Sequence, residues 1–188
     1  MKCKNVFELC TDFLQGLLGR DAATIAETEI WSLVSKLEIH RLAPGDILCT
    51  QGHISQSAYI LVGGTIDGCV EYVGDTRTKT FSLQSGAILG EICLLTGLPH
   101  TATLRARDNA ELLKLSRAAF VTLLSLQSRI PRILADLAIA RQTDDETYLE
   151  HLPNLSEAAA HHEIAPTAID PLSGLAAFCR FLLDARRA

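Results

Sequence analysis

The stretch that decides the fold runs from Ser85 to Thr103 and reads SGAILGEICLLTGLPHTAT. Its pattern predicts a short strand, a tight turn at Gly90, one or two turns of helix, a Gly-Leu-Pro corner and a second strand. Gly90 lets the backbone turn sharply and approach a bound molecule closely. The amides that follow it begin a helix, where unpaired N–H groups and the helix dipole favour an anion. Glu91 adds a carboxylate that can accept hydrogen bonds from hydroxyl groups.

Short strands separated by glycine turns surround this stretch. They are predicted at 38–42, 47–50, 58–62, 65–73, 78–83, 101–106 and 109–115. Short strands at regular spacing are typical of a small barrel or roll. Apolar residues at helical spacing predict a helix over 5–18 and a second from Asp21, as its cap, to about Lys36. Two more helices are predicted after the strands, one capped by Ser116 and one with Pro131 in its first turn.

The central stretch resembles the phosphate-binding cassette of the cyclic nucleotide-binding domain. That cassette has a Gly-Glu pair, a hydrophobic turn and then Pro-Arg-x-Ala; here Gly90-Glu91 and Pro99-His100-Thr101-Ala102 stand at the matching separation. Further family positions are matched by Pro44-Gly45-Asp46, Gln51-Gly52, Tyr59-Ile60-Leu61, Gly64 and Gly86. The resemblance implies an α+β fold, an antiparallel β-roll or jelly-roll barrel. It would carry N-terminal helices, a short cassette helix and two C-terminal helices.

The resemblance also implies a binding site and a ligand. The ligand would be cAMP or cGMP, and neither a catalytic residue nor a metal or other cofactor is expected. Residues that match the family's site are Leu89, Gly90, Glu91, Ile92, His100, Thr101 and Ala102. The departure is at His100, where the family has the arginine that pairs with the cyclic phosphate.

Replacement of arginine by histidine weakens the expected phosphate recognition. A guanidinium makes two permanently charged hydrogen bonds to phosphate, whereas histidine is mostly neutral at pH 7. Losing one charge-assisted bond costs about 1.5–3 kcal/mol, or roughly ten- to hundredfold in affinity. His100 could instead be a structural polar residue or bind an anion only when protonated. Glu91 could simply complement the helix dipole, and Thr101 could be an ordinary strand residue rather than a contact to the base.

Two main functions follow from this pattern. The first is a regulatory module that binds cAMP or cGMP, with weakened phosphate recognition, and signals through its C-terminal helices. The second is a degenerate domain that binds no cyclic nucleotide and serves protein–protein contact or oligomerisation. An enzyme is not expected, because no nucleophile signature or histidine pair at metal spacing is present.

Charge, hydropathy and cysteine spacing limit the kinds of partner and the compartment that we expect. The 188 residues carry a net charge of −5, which argues against a nucleic-acid partner, and no apolar run is long enough to insert into a membrane. The six cysteines form no CxxC pair, so reduced thiols in a cytoplasmic protein are expected. A winged helix-turn-helix, which transcription regulators of this fold carry, does not fit the acidic, proline-containing end of the chain.

We divide the chain into four predicted segments. N-terminal helices occupy 1–36, and the β-roll with its hinge and lid helices occupies 37–150. A linker covers 151–172, and an amphipathic C-terminal helix covers 173–188. The apolar stripe of Ile130, Ile133, Leu134, Leu137 and Ala138 could pack on the roll or form a lid or dimer contact. A homodimer or protein partner would bind through 130–148 or 173–187.

Overall fold

The computed structural model describes residues 5–72 and 78–143, and these form a two-sheet β-roll flanked by helices. Each sheet has four antiparallel strands. The strands are β1 (Leu37–Leu42), β2 (Ile47–Cys49), β3 (Ser57–Gly63), β4 (Ile66–Glu71), β5 (Thr78–Leu83), β6 (Ile88–Leu89), β7 (Thr103–Ala106) and β8 (Ala110–Ser116). The helices are α1 (Val6–Leu18), α2 (Glu27–Val34), α3 (Glu91–Thr96), α4 (Arg117–Ser125) and α5 (Ile130–Thr143).

One hydrophobic core lies between the two sheets, and a second lies between the roll and the helices. Their strand orders are β1-β8-β3-β6 and β2-β7-β4-β5. Side chains alternate across each strand, so β3 and β8 contribute to both cores. Leu61 and Leu112 face the roll interior, whereas Ile60 and Leu113 face the helices. The α+β roll that the sequence predicts is therefore confirmed.

Gly64 shows why one glycine of the pattern is required by the fold. Its φ is +81°, and a Cβ there would lie 2.5 Å from the Asn109 carbonyl oxygen and 2.8 Å from the Ala110 Cα. Both obstacles are backbone atoms and cannot rotate away. The turn before β4 and the turn before β8 therefore pack together only because residue 64 has no side chain.

The predicted first helix is confirmed as α1. Asn5 caps it: the Asn5 Oδ1 accepts from the Glu8 amide at 2.9 Å, and the Asn5 amide donates to the Glu8 carboxylate at 3.0 Å. This reciprocal pair satisfies two amides that a helix start leaves without partners. Gly19, with a φ of 60°, ends the helix as expected.

The predicted start of the second helix is wrong. Asp21 lies in a short 3₁₀ helix, Gly19–Thr24, and α2 begins only at Glu27 with Ala26 as its cap. The side chain of Ile25 is buried, and its extended backbone separates the two helices. The Asp21 carboxylate instead pairs with the Arg129 guanidinium, a contact between distant parts of the chain that the local pattern cannot show.

The helices after the roll follow the prediction closely. The Ser116 hydroxyl accepts from the Ala119 amide at 3.3 Å and caps α4, and Pro131 is the second residue of α5. Ile130 and Leu134 are fully buried, whereas Leu137 is exposed. The first half of the α5 stripe therefore packs on its own roll, whereas Leu137 is partly exposed.

Some predictions concern residues that the structure does not describe. The division into four segments stays a prediction, and the linker at 151–172 and the helix at 173–188 lie outside the described residues. Within 5–72 and 78–143, no helix is long and apolar enough to cross a membrane. The cysteines in those ranges, Cys10, Cys49, Cys69 and Cys93, are free thiols, and Cys10 and Cys93 are buried as expected.

Candidate functional site

A strand, a left-handed glycine and a short helix form one wall of the site. β6 pairs with β3 through Tyr59 and Ile60, which brings Gly90 against the start of β3. Gly90 has a φ of 74°, and a Cβ there would lie 3.1 Å from the Ser57 carbonyl oxygen and 3.4 Å from His100 Cε1. The glycine turn predicted from sequence is confirmed. It places Glu91 in the first turn of α3 and directs the chain back into the roll.

A cavity of about 290 Å³ opens beside this turn, near the lower end of the ~300–1,000 Å³ of small-molecule sites. All seven residues assigned to the site by resemblance, from 89–92 and 100–102, line this one cavity. Thr101 and Ala102 lie just before β7, which begins at Thr103 and not at 101 as predicted. The structure thus brings the predicted residues together, and their role in binding stays a prediction.

Glu91 is the buried acid of this site. Its side chain is only 1% exposed and lines the cavity from the first turn of α3. A carboxylate in this position can accept hydrogen bonds from hydroxyl groups of a bound molecule, and as a first-turn acid it also complements the helix dipole.

His100 is buried and hydrogen-bonded within the protein. The residue is 7% exposed, and its Nε2 lies 3.0 Å from the Ser55 hydroxyl oxygen. That hydroxyl already donates to the Ser57 carbonyl oxygen at 3.1 Å, so it accepts the hydrogen of His100 Nε2. The neutral tautomer with hydrogen on Nε2 fits this arrangement. The imidazole therefore has a structural bond in the place where the family has a phosphate-binding arginine.

The environment of His100 lowers its pKa. Burial disfavours the charged imidazolium, and the nearby His53 adds to the effect. The two residues come together because the His100 amide donates to the His53 carbonyl oxygen at 2.9 Å. His100 therefore gains a charge only at a lower pH than an ordinary histidine would.

The lowered pKa predicts that His100 makes the fold less stable in acid. Between the ordinary pKa of about 6.5 and the lower folded value, the unfolded chain binds more protons, so stability falls as pH falls. The slope from this one group is at most about 1.4 kcal/mol per pH unit. Urea unfolding of the native protein and of His100→Gln at pH values from about 7.5 to 5.0 measures it. The stability advantage of the native protein should shrink toward acid, and a constant advantage would contradict the assignment.

The cavity also contains residues that sequence reasoning did not single out. They are Cys49, Lys79, Phe81, Ser82, Leu83, Cys93 and Leu104. The signal for three of them was present in the alternation of β5, because Lys79, Phe81 and Leu83 are half-buried between the exposed Thr78, Thr80 and Ser82. The alternation alone does not show which face of β5 is turned inward. The pairing of β5 with β4 places the face with Lys79, Phe81 and Leu83 over the cavity.

Phe81 forms a flat apolar part of the cavity wall. It lies opposite Gly68 on β4, and a Cβ at Gly68 would lie only 2.1 Å from the Phe81 ring. The ring therefore occupies the space that a side chain at residue 68 would need. An aromatic face in this position suits contact with the flat face of a purine.

The cavity thiols are not set up for nucleophilic chemistry. Burial raises the pKa of Cys49 to about 11 and also raises the pKa of Cys93. Cys93 exchanges hydrogen bonds with the Ser55 backbone, with Sγ 3.3 Å from the amide nitrogen and 3.2 Å from the carbonyl oxygen. Protonated, buried thiols behave as small apolar side chains. In the described part of the chain, no three His, Cys, Asp or Glu side chains are grouped so that they could hold a metal ion.

Comparison with known proteins agrees with this geometry. Residues 39–127 match the cyclic nucleotide-binding domain family. The chain is 27% identical over 141 residues to a cAMP-dependent protein kinase regulatory subunit from Blastocladiella emersonii, a match that covers 74% of this chain and 32% of the relative. It is 30% identical over 112 residues to the human potassium/sodium hyperpolarization-activated cyclic nucleotide-gated channel 4, covering 60% of this chain and 9% of the channel.

A solved structure has a similar fold. A variant of the cAMP-binding acyltransferase from Mycobacterium smegmatis superposes with a TM-score of 0.55 at 25% identity, covering 73% of this chain and 43% of the acyltransferase. The matched region thus spans less than half the length of each of these three proteins. With the two-sheet roll and the Gly90-Glu91 turn at its cavity, the match of residues 39–127 to the cyclic nucleotide-binding domain family confirms the resemblance that the sequence indicates.

Proposed function

We propose that the cavity binds cAMP or cGMP and that the chain is a regulatory module with weakened phosphate recognition. The observation that carries this proposal is the convergence of 89–92 and 100–102 on one cavity. Glu91 would accept hydrogen bonds from the ribose, and the Phe81 ring would contact the base. The relative from Blastocladiella emersonii, a kinase regulatory subunit, supports the regulatory part of the proposal.

The phosphate would be held less tightly here than in relatives that have the arginine. His100 is neutral at pH 7, and its Nε2 hydrogen bond goes to Ser55. A neutral imidazole supplies no permanent charge to a phosphate. Backbone amides around Glu91 and Ala102 would provide the remaining contacts to the phosphate oxygens.

Relay of ligand occupancy would pass from α3 to α5. Ile92 and Leu94 of α3 belong to the same buried cluster as Ile130 and Leu134 of α5. Close-packed side chains transmit a shift of one helix to its neighbour because there is little free volume between them. A ligand that reorders the turn at Gly90 would therefore move α3 and change the packing of α5.

Calorimetric titration of the folded protein with cAMP and with cGMP tests the proposal. Saturable heat with either nucleotide at micromolar to millimolar concentrations is expected. The relay adds a second readout, since hydrogen exchange in α5 should change when the nucleotide saturates the cavity. No heat with either ligand at millimolar concentration, from protein shown to be folded, would reject nucleotide binding.

The second candidate is a degenerate domain that binds no cyclic nucleotide and serves as an interaction module. The hydrogen bond from His100 to Ser55 favours it, because the side chain at the phosphate position has a structural partner. This candidate requires that the native protein bind cAMP far more weakly than a variant with the arginine. Equal affinity of the two proteins would count against it.

The location of the chain, its lack of catalytic activity and its assembly are also proposals. The chain would act in the cytoplasm without catalytic activity of its own and could form a homodimer or bind a protein partner through 130–148 or 173–187. The exposed Leu137 supports the first of these surfaces. Sedimentation of the native protein and of Leu137→Glu would test it, since loss of self-association is expected only if this surface is an interface.

A further inference from the structure

We propose that Gln51 is a positioning residue of the candidate site. Its side-chain amide ends the pairing of β4 with β7 and so holds residues 100–102 at the cavity. Gln51 lies in the loop between β2 and β3 and is not among the described residues that line the cavity. The positioning is argued from contacts within the protein, and its consequence for ligand affinity rests on the proposed function.

The Gln51 side chain makes the two hydrogen bonds to Glu71 that a residue of a neighbouring strand would make. Its Nε2 donates to the Glu71 carbonyl oxygen at 2.7 Å, and its Oε1 accepts from the Glu71 amide at 2.8 Å. Two residues that form a hydrogen-bonded pair in an antiparallel ladder exchange the same set of bonds. The Gln51 carboxamide therefore takes the place of a backbone peptide group beside β4.

The strand register shows which residue Gln51 replaces. The ladder between β4 and β7 ends where Cys69 lies opposite Thr103. Two further steps would bring Glu71 opposite Thr101, and the Glu71 backbone would then bond to Thr101. The backbone amide of Gln51 donates to the Thr103 hydroxyl at 3.1 Å, which places the glutamine at the end of this ladder. Because Gln51 bonds to Glu71 instead, the chain before β7 stays out of the sheet.

The loop that carries Gln51 binds this part of the chain at His100. The Gly52 amide donates to the His100 carbonyl oxygen at 2.8 Å, and the His100 amide donates to the His53 carbonyl oxygen at 2.9 Å. The loop thus pairs with His100 in place of the sheet. His100 Cε1 consequently lies close to Gly90, only 3.4 Å from the position that a Cβ of residue 90 would occupy.

Nuclear Overhauser effects in the ligand-free protein test the positioning directly. Gln51→Met keeps the length of the side chain without its amide, and Gln15→Met makes the same change at an exposed position of α1. We expect the effect between the His100 ring and the Gly90 α-protons to be lost in Gln51→Met and kept in Gln15→Met. Effects between Ile60 and Leu113, which pair in β3 and β8, should persist in both variants. A residue that only stabilised the fold would leave all of these signals in place.

Calorimetry connects the positioning to ligand binding. On the proposed function, residues 100–102 contact the phosphate, and a segment that is held in its binding conformation spends less of the interaction energy on ordering. Gln51→Met should therefore weaken cAMP binding at least about tenfold. Adenosine, which lacks the phosphate, should bind within about twofold of the native affinity. Gln15→Met should bind both ligands as the native protein does.

The possible results separate this inference from the proposed function. If folded Gln51→Met keeps the effect between His100 and Gly90, the positioning is overturned whatever happens to nucleotide binding. If cAMP affinity stays within about twofold, or adenosine affinity falls as much, the inference is overturned and the proposed function stands. A folded native protein that binds no cAMP rejects the proposed function, and the nuclear Overhauser effects still decide the positioning. If Gln51→Met does not fold, the same measurements on Gln51→Glu, which loses only the bond donated to the Glu71 carbonyl oxygen, decide it.

Discussion

Replacing His100 with arginine is expected to raise the affinity for cAMP by about ten- to hundredfold. The gain corresponds to about 1.5–3 kcal/mol for charge-assisted hydrogen bonds between a guanidinium and the cyclic phosphate. The position is correct because His100 lines the same cavity as Gly90 and Glu91. Calorimetric titration of the native protein and of His100→Arg with cAMP measures the difference.

Two controls show whether charge causes the gain. His100→Gln keeps a polar side chain that can bond to Ser55 without adding charge, and its cAMP affinity should remain close to the native value. Adenosine should bind the arginine variant and the native protein equally, because it has no phosphate. An affinity for cAMP that is unchanged in folded His100→Arg would mean that the phosphate does not lie at this position.

Truncation of Leu134 to alanine is expected to lower the free energy of unfolding by about 2–5 kcal/mol. Leu134 is fully buried and belongs to the cluster that joins α3, α4 and α5 to the roll. The truncation removes methyl groups from a close-packed site and leaves a cavity that its neighbours fill only in part. Urea unfolding followed by circular dichroism gives the change in free energy.

Leu137→Ala is the matched control, because it makes the same truncation one turn later on α5. The Leu137 side chain is 37% exposed, so its loss should cost well below 2 kcal/mol. If Leu134→Ala lowers the free energy of unfolding as little as Leu137→Ala does, α5 does not pack on the roll through Leu134. That result would also remove the physical basis for a relay from α3 to α5.

The elements that sequence patterns predicted well are those that depend on local chemistry. The β-roll followed from alternating apolar residues between glycine turns, and the turn at Gly90 followed from its left-handed conformation, which glycine adopts without strain. The caps at Ser116 and Gly19 were also visible in the sequence. Asp21 does not cap a helix. Its carboxylate pairs with Arg129, 108 residues away in the chain, and no local pattern records such a pairing.

Resemblance to the family also identified seven residues that share a cavity, but it did not show the cavity's electrostatics. The sequence alone determined that the phosphate-binding arginine is absent and that His100 stands in its place. Only the tertiary structure decided that His100 is buried against Ser55 with a lowered pKa and that Lys79 faces the same cavity. The physical reason is that burial and charge depend on strand pairing between residues distant in the chain, whereas a turn depends on its own few residues.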